Sequence, residues 1–248
     1  MSDSQDSGRM DPRPAGEGAG DAPGGAAPRP KPTAIERPPS GAADAPPLFV
    51  DEAFPPYRFV PGVTPHPFAH TDGWGYGTER PPPPLLAPEQ WAENKAFLRG
   101  CDFFNRGWWW EAHEAWEDLW HVVEGHHPRQ WDLLKGLIQL AACALQRERG
   151  IDKGAERLLV TAVACLDRVA RGELPERTDN TAASPNEGSL AESLAPQTAH
   201  YCGLDLAALA DEARARLSQP APRVDGFYLR PAALDADSAN PRSTPDHS

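Results

Sequence analysis

From about residue 89 onward, apolar positions recur every three or four residues, the spacing that puts them on one face of a helix. Pro88 followed by Glu89 opens a first helix, and Trp91, Phe97, Leu98, Cys101 and Phe104 keep phase until Asn105-Arg106-Gly107 breaks the chain. So short a break predicts an antiparallel helix pair. In the second helix, at about 100° per residue, Trp108, Trp109, Ala112, Trp116, Leu119, Trp120 and Val123 fall in one arc. Glu111, Glu114 and Asp118 lie opposite, and His113 and Glu117 stand beside the arc, at the seam between core and solvent.

Residues 129 to 149 form a third helix whose apolar arc covers more than half the wheel, so it is expected to be packed on more than one side. Gly136 within it costs about 1 kcal/mol in helix propensity against Ala and admits a close helix crossing. A fourth helix follows Asp152, read as its N-cap, and ends near Gly172 and Pro175. A fifth begins around Asp205, with Leu206, Leu209, Ala210, Ala213 and Leu217 in phase. No segment alternates like a strand. The class is therefore all-α, a bundle of four to five helices.

Proline use marks the boundary of this bundle. Of 29 prolines in 248 residues, 20 lie in residues 1 to 88, and Pro128 alone lies between 89 and 174. Residues 1–53 are poor in aromatics and cannot bury enough apolar surface to offset chain entropy, so they are expected to be a disordered tail. Residues 54–88 are different: Phe54, Tyr57, Phe59, Phe68, Trp74 and Tyr76 make this irregular, Pro-rich arm too aromatic to float freely, and it is expected to wrap the bundle. The helical core is assigned to 89–172, a linker to 173–202, an additional helix to 203–219 and a second disordered tail to 220–248.

The formal charge of −12 and the lack of any basic run exclude a nucleic-acid backbone as partner. No apolar stretch is long enough to span a bilayer, and the polar N-terminus lacks the apolar region of a signal peptide; the expected location is cytoplasmic. Cys101, Cys143, Cys165 and Cys202 are widely spaced, without a Cys-x-x-Cys pair, and read as reduced core residues.

The chemistry concentrates in residues 107 to 124, where five tryptophans and five carboxylates surround His113, with no Lys or Arg between Arg106 and Arg129. Phe104-Asn105-x-Gly107, Trp110-Glu111-Ala112-His113-Glu114-x-x-Glu117-x-x-Trp120, Leu134-x-Gly136-Leu137-Ile138-Gln139-Leu140-Ala141 and Gly154-Ala155 follow in order. Over roughly residues 89 to 172 this series resembles the domain of unknown function 309 family of bacteria and archaea. The stretch from Pro55 to Pro67 is similar to an N-terminal extension of some members. The resemblance implies a small helical bundle and singles out His113, Glu114, Glu117, Trp120 and Gln139, but brings no reaction with it. The excess of Trp at 108 to 110 and His121, in place of an expected basic residue, depart from the pattern.

Three readings of His113 compete. In the first, His113 and Glu117 satisfy each other and Gln139 as an architectural network in a scaffold or protein-interaction module. In the second, a divalent metal is bound by His113 and Glu117, with His121 continuing the stripe at i, i+4 and i+8. Here Glu117 takes the place of the second imidazole of a His-Glu-x-x-His zinc motif, and no further helix offers a third ligand. In the third, His113 is a general base oriented by Glu117 in a small-ligand enzyme, with His66 carried over the pocket by the arm. No Ser, Cys or Lys in the helix offers a nucleophile. The carboxylates Glu111, Glu114, Asp118 and Glu124 read as the solvated face of the helix, and the wide apolar arcs leave room for a protein partner or self-association.

Overall fold

The computed structural model describes residues 48–174, 200–218 and 227–231. A short 3-10 turn, Pro88–Glu93, leads into α1, Lys95–Asn105, whose N-cap Asn94 accepts the Phe97 N–H at 3.0 Å. Then come α2, Trp109–Val123, α3, Pro128–Glu148, and α4, Asp152–Ala170. A two-residue antiparallel hairpin, His200–Tyr201 (β1) with Leu204–Asp205 (β2), precedes α5, Leu206–Leu217. The hairpin departs from the reading without strands, yet the fold remains all-α. Cys202 and Gly203, at φ 49° and 75°, give the left-handed pair that a tight hairpin requires.

Each helix packs on the next: α1 on α2, α2 on α3, α3 on α4 and α4 on α5. Two glycines set the crossings. At Gly100 a Cβ would fall 2.1 Å from Trp116 Nε1, so the absent side chain lets the indole lie flat on α1 and donate to the Phe97 carbonyl at 3.1 Å. At Gly136 a Cβ would meet Cys165 Cβ at 3.2 Å and the Ala162 carbonyl at 3.3 Å, which makes the α3–α4 crossing close, as the sequence predicts. Trp116, Leu119, Leu133, Leu137, Leu140 and Leu166 are fully buried between these crossings. The four cysteines are free and buried.

Asp205 caps α5 by accepting the Ala208 N–H at 3.0 Å. Asp152 differs from its expected role. It is the first residue of α4, with uncapped Ile151 before it, and its carboxylate takes Arg147 Nη1 at 2.6 Å. A buried guanidinium nearby outcompetes the backbone amides for that carboxylate.

The arm is irregular and is held by side chains of the bundle. Asp102, fully buried on α1, accepts the N–H groups of Phe49 and Val50 at 2.9 Å, while Arg99 donates to the carbonyls of Glu52 and Ala53 and lies over the Phe54 and Phe103 rings. Of the residues assigned by composition to the tail, those from Phe49 to Ala53 are thus docked on the bundle. At the other end, residues 227–231 also lie on the bundle: Asn105 exchanges both hydrogen bonds with the Leu229 backbone, at 2.7 and 2.9 Å. The assigned linker ends in the hairpin, with His200–Tyr201 in β1 and Cys202 in its turn; the residues of the linker from 175 to 199 and, Leu48 apart, the remaining residues of both tails lie outside the described ones.

Candidate functional site

Helix α2 carries three stripes of side chains. Trp109, Ala112, Trp116, Leu119 and Val123 are buried in the core. Glu111, Glu114 and Asp118 form the second stripe, expected to face solvent; instead the arm lies over it. A helical wheel locates a face relative to the core of its own bundle and contains no information about a segment some fifty residues earlier.

Glu111 is the extreme case, at 3% exposure. Its Oε1 accepts the Phe59 N–H at 2.7 Å, and among the described residues its Oε2 has no hydrogen-bond partner. Burial pushes the carboxyl up to about 8, against the opposing pull of the Phe59 amide and of Arg58. Arg58, itself buried, donates to the Gly107 carbonyl at 2.9 Å and pairs through both terminal nitrogens with Glu148 at the end of α3. Gly107, at φ 74°, makes the turn that presents this carbonyl. Further along the arm, Arg80 reaches Glu114 Oε2 at 3.2 Å and Asp118 Oδ2 at 3.1 Å, while its guanidinium lies 4.2 Å above the Phe68 ring. Burial raises the pKa of Glu114 and of Asp118, and Arg80 opposes it in both.

Between the arm and helices α1 and α2 lies a cleft of about 470 Å³. Phe68, Trp74, Phe103 and Trp110 wall it, and Glu111, Glu114, Asp118 and Arg80 line it.

The third stripe holds the residues singled out in the sequence. His113 Nε2 stands 3.6 Å from Glu117 Oε2, with side-chain exposures of 27% and 42%, so the pair sits at the seam between core and solvent. Glu114 joins them: one ligand atom from each of His113, Glu114 and Glu117 lies within 4.8 Å of the others. His121 is not in this group; it is exposed and stands edge-on to Trp120 at 5.0 Å, and Trp120 in turn stacks on Trp131 of α3. Gln139, half-buried on α3, makes no hydrogen bond to His113 or Glu117 among the described residues.

His66 is placed on Trp110. Its ring centroid lies 5.3 Å from that indole and 4.9 Å from Phe59, and its Nδ1 accepts the N–H groups of Phe68 and Ala69 at 3.2 Å. That nitrogen shapes the arm's turn, and no hydrogen bond or ion pair joins His66 to His113 among the described residues. The residues that the sequence reading did not single out are Arg58, Arg80, Arg99, Asp102 and Glu111. Glu111 and Asp102 stand within or beside the quoted motif, and the signal for them was the arm itself: an aromatic segment that must dock needs polar partners for its own backbone.

Residues 97–158 match the family model described as a domain of unknown function (DUF309), the family that the motif series resembles. No curated protein and no solved structure matches the chain. Among the described residues no helix is long and apolar enough to cross a membrane.

Proposed function

We propose that this chain is a non-enzymatic scaffold or protein-interaction module, a helical bundle whose task is to hold an irregular aromatic arm in a fixed shape. The observation that supports this reading is where the buried polar side chains are spent. Asp102 and Glu111 accept arm N–H groups, and Arg58 and Arg99 knit arm to bundle through a carboxylate and carbonyls. A buried polar group is costly unless it is hydrogen-bonded, so these contacts between arm and bundle fix the arm's conformation. The arm then offers a preformed surface to a partner, with little ordering left to do on binding.

A second reading has its own observation. The His113, Glu114 and Glu117 ligand atoms, within 4.8 Å of one another, are close to what a divalent cation needs. Two ligands of one ion, each about 2.0–2.2 Å from it, stand at most roughly 4.4 Å apart. Small side-chain rotations close that difference. This site ranks second because Glu114 already pairs with Arg80, which an ion would have to displace.

Metal analysis and hydrogen exchange on the full chain separate the two. For a scaffold, a His113→Ala/Glu117→Ala variant melts as the wild type does, metal content is the same trace in both, and the amides of Phe49, Val50 and Phe59 stay protected. Stoichiometric divalent metal in the wild type, lost in the double variant, replaces the first reading with the second.

A further inference from the structure

We infer that the cleft between the arm and helices α1 and α2 is a binding site for a small organic cation, a primary amine carried on an apolar body. This goes beyond the scaffold reading and does not depend on it. Glu111 is 3% exposed, lines the cleft and has one carboxylate oxygen without a partner among the described residues. Ionised, Oε2 lacks a donor; protonated, it lacks an acceptor. A buried polar atom left unmatched carries a desolvation cost that a bound ligand's donor removes.

The cleft's own contents give the charge of that donor. Five carboxylates line it against three cationic side chains, so its field favours positive charge. One cation is already recognised there: the Arg80 guanidinium rests on the Phe68 ring at 4.2 Å and contacts Glu114 and Asp118 at 3.2 and 3.1 Å. An aromatic face with carboxylates at its rim is the chemistry that binds ammonium and guanidinium groups. Arg80 serves the two outer carboxylates of the stripe and leaves Glu111, the most buried, for an incoming ligand. Phe103, Trp74 and Trp110 supply the apolar walls, which favour an amine with a hydrophobic body over a bare polyamine.

The groups facing Glu111 determine how binding follows pH. From the arm come the Phe59 amide and Arg58, which is itself paired with Glu148 at the end of α3, and from α2 itself comes Glu114. Arg80, Arg99 and Lys95 line the same cleft from the arm and from α1. Burial dominates and holds the carboxyl up to about 8. An ammonium ligand pairs with the ionised form, so binding below pH 8 expels one proton.

The test uses the full chain and 2-phenylethylamine as probe, with 2-phenylethanol as its neutral and 3-phenylpropionate as its anionic counterpart. Calorimetry in two buffers of different ionisation enthalpy counts the protons. The expected result is saturable one-to-one binding of the amine, at least about tenfold tighter than the alcohol, with no binding of the anion. One proton is released per ligand at pH 6 to 7, and affinity rises about tenfold per pH unit in that interval. Glu111→Gln, which keeps the acceptor for Phe59 but places an amide donor at Oε2, weakens the amine at least about tenfold and leaves the alcohol unchanged. If that variant does not fold, the proton count and the amine-to-alcohol ratio on the wild type decide. No amine binding at roughly 10 mM, enough to fill a site with Kd near 1 mM, overturns the assignment. So does equal affinity for amine and alcohol, or amine binding without proton release.

Discussion

Glu111 makes the stability of this protein depend on pH in the opposite sense to a salt-bridged carboxylate. Its ordinary pKa is 4.5 and burial in the fold raises it to about 8. Between those values the folded state keeps a proton that the unfolded chain has released, so stability falls as pH rises through the interval. Below 4.5 both states are protonated and the group contributes no slope; above 8 both are ionised and the loss is complete. Each pH unit across the interval is worth about 1.36 kcal/mol, and the whole of it roughly 4–5 kcal/mol. The perturbation that isolates the effect is Glu111→Gln, similar in shape and without a titrating group. Near pH 4.5 the variant and the wild type should be equally stable to within about 1 kcal/mol. By pH 8.5 the variant should be more stable by about 3–5 kcal/mol, because it no longer carries a desolvated carboxylate. Urea unfolding followed by tryptophan fluorescence, at half-unit steps from pH 4.5 to 9, measures both curves. There is one ceiling on the difference: if the arm lifts off as a unit, it releases Glu111 to water, and the loss cannot exceed the free energy that docks the arm. Exchange of the Phe59 amide, faster at pH 8.5 than the urea transition accounts for, reports that escape. Wild-type and variant curves that run parallel over the whole range would refute the reasoning.

Three further expectations concern packing and exposure. Gly100→Ala puts a methyl 2.1 Å from the Trp116 ring and should cost at least about 3 kcal/mol, whereas Gly136→Ala meets its neighbours at 3.2 Å or beyond, gains helix propensity, and should fall within about 1 kcal/mol of the wild type in the same urea assay; equal losses would show that the α1–α2 crossing adapts. His113→Ala should change stability by less than about 1 kcal/mol, because both members of the pair are partly open to water, and a larger loss in thermal unfolding would mark a structural role that the 3.6 Å pair does not explain. Cys143 and Cys165, buried and pushed up to about 11 and about 12, should resist a thiol reagent at pH 8 until urea unfolds the chain; stoichiometric labelling of either in the native state would contradict their burial.

What the sequence made legible follows from the range of each interaction. The helices were readable because periodicity and punctuation act within a few residues: Gly107 ends one turn, Asp205 opens α5 and the small residue at 136 marks a crossing, although the first helix, read from Pro88, begins only at Lys95 after a 3-10 turn. The seam position of His113 and Glu117 was readable for the same reason, since one helix fixes both. Asp152 was misread because a local rule met a tertiary competitor, Arg147. The arm's aromatic content announced that it would dock, yet nothing local named the partners, which lie about fifty positions away: Phe49 with Asp102, Phe59 with Glu111, Arg58 with Gly107. The Asn105–Leu229 pair spans 124 positions and had no compositional signal at all.

The arm's docking changes what the carboxylates of α2 are for. On an isolated amphipathic helix, Glu111, Glu114 and Asp118 would be a solvated face worth little to stability. Covered by the arm, the same three form a gradient from the buried Glu111 to the partly exposed Glu114 and Asp118, and among the described residues the last two are ion-paired with Arg80 of the arm. If the stripe served the arm alone, a single hydrogen bond to the Phe59 amide would be a poor return for burying a carboxylate, and an amide side chain would do the same work without the desolvation cost. A carboxylate at that position is therefore an expense in stability that only its charge can justify, whether by attracting a cation into the cleft or by releasing the arm as pH rises. The two uses have separate readouts in the wild type, the first in its tenfold preference for an amine over the alcohol and the second in Phe59 amide exchange that quickens as pH rises, and Glu111→Gln should abolish both.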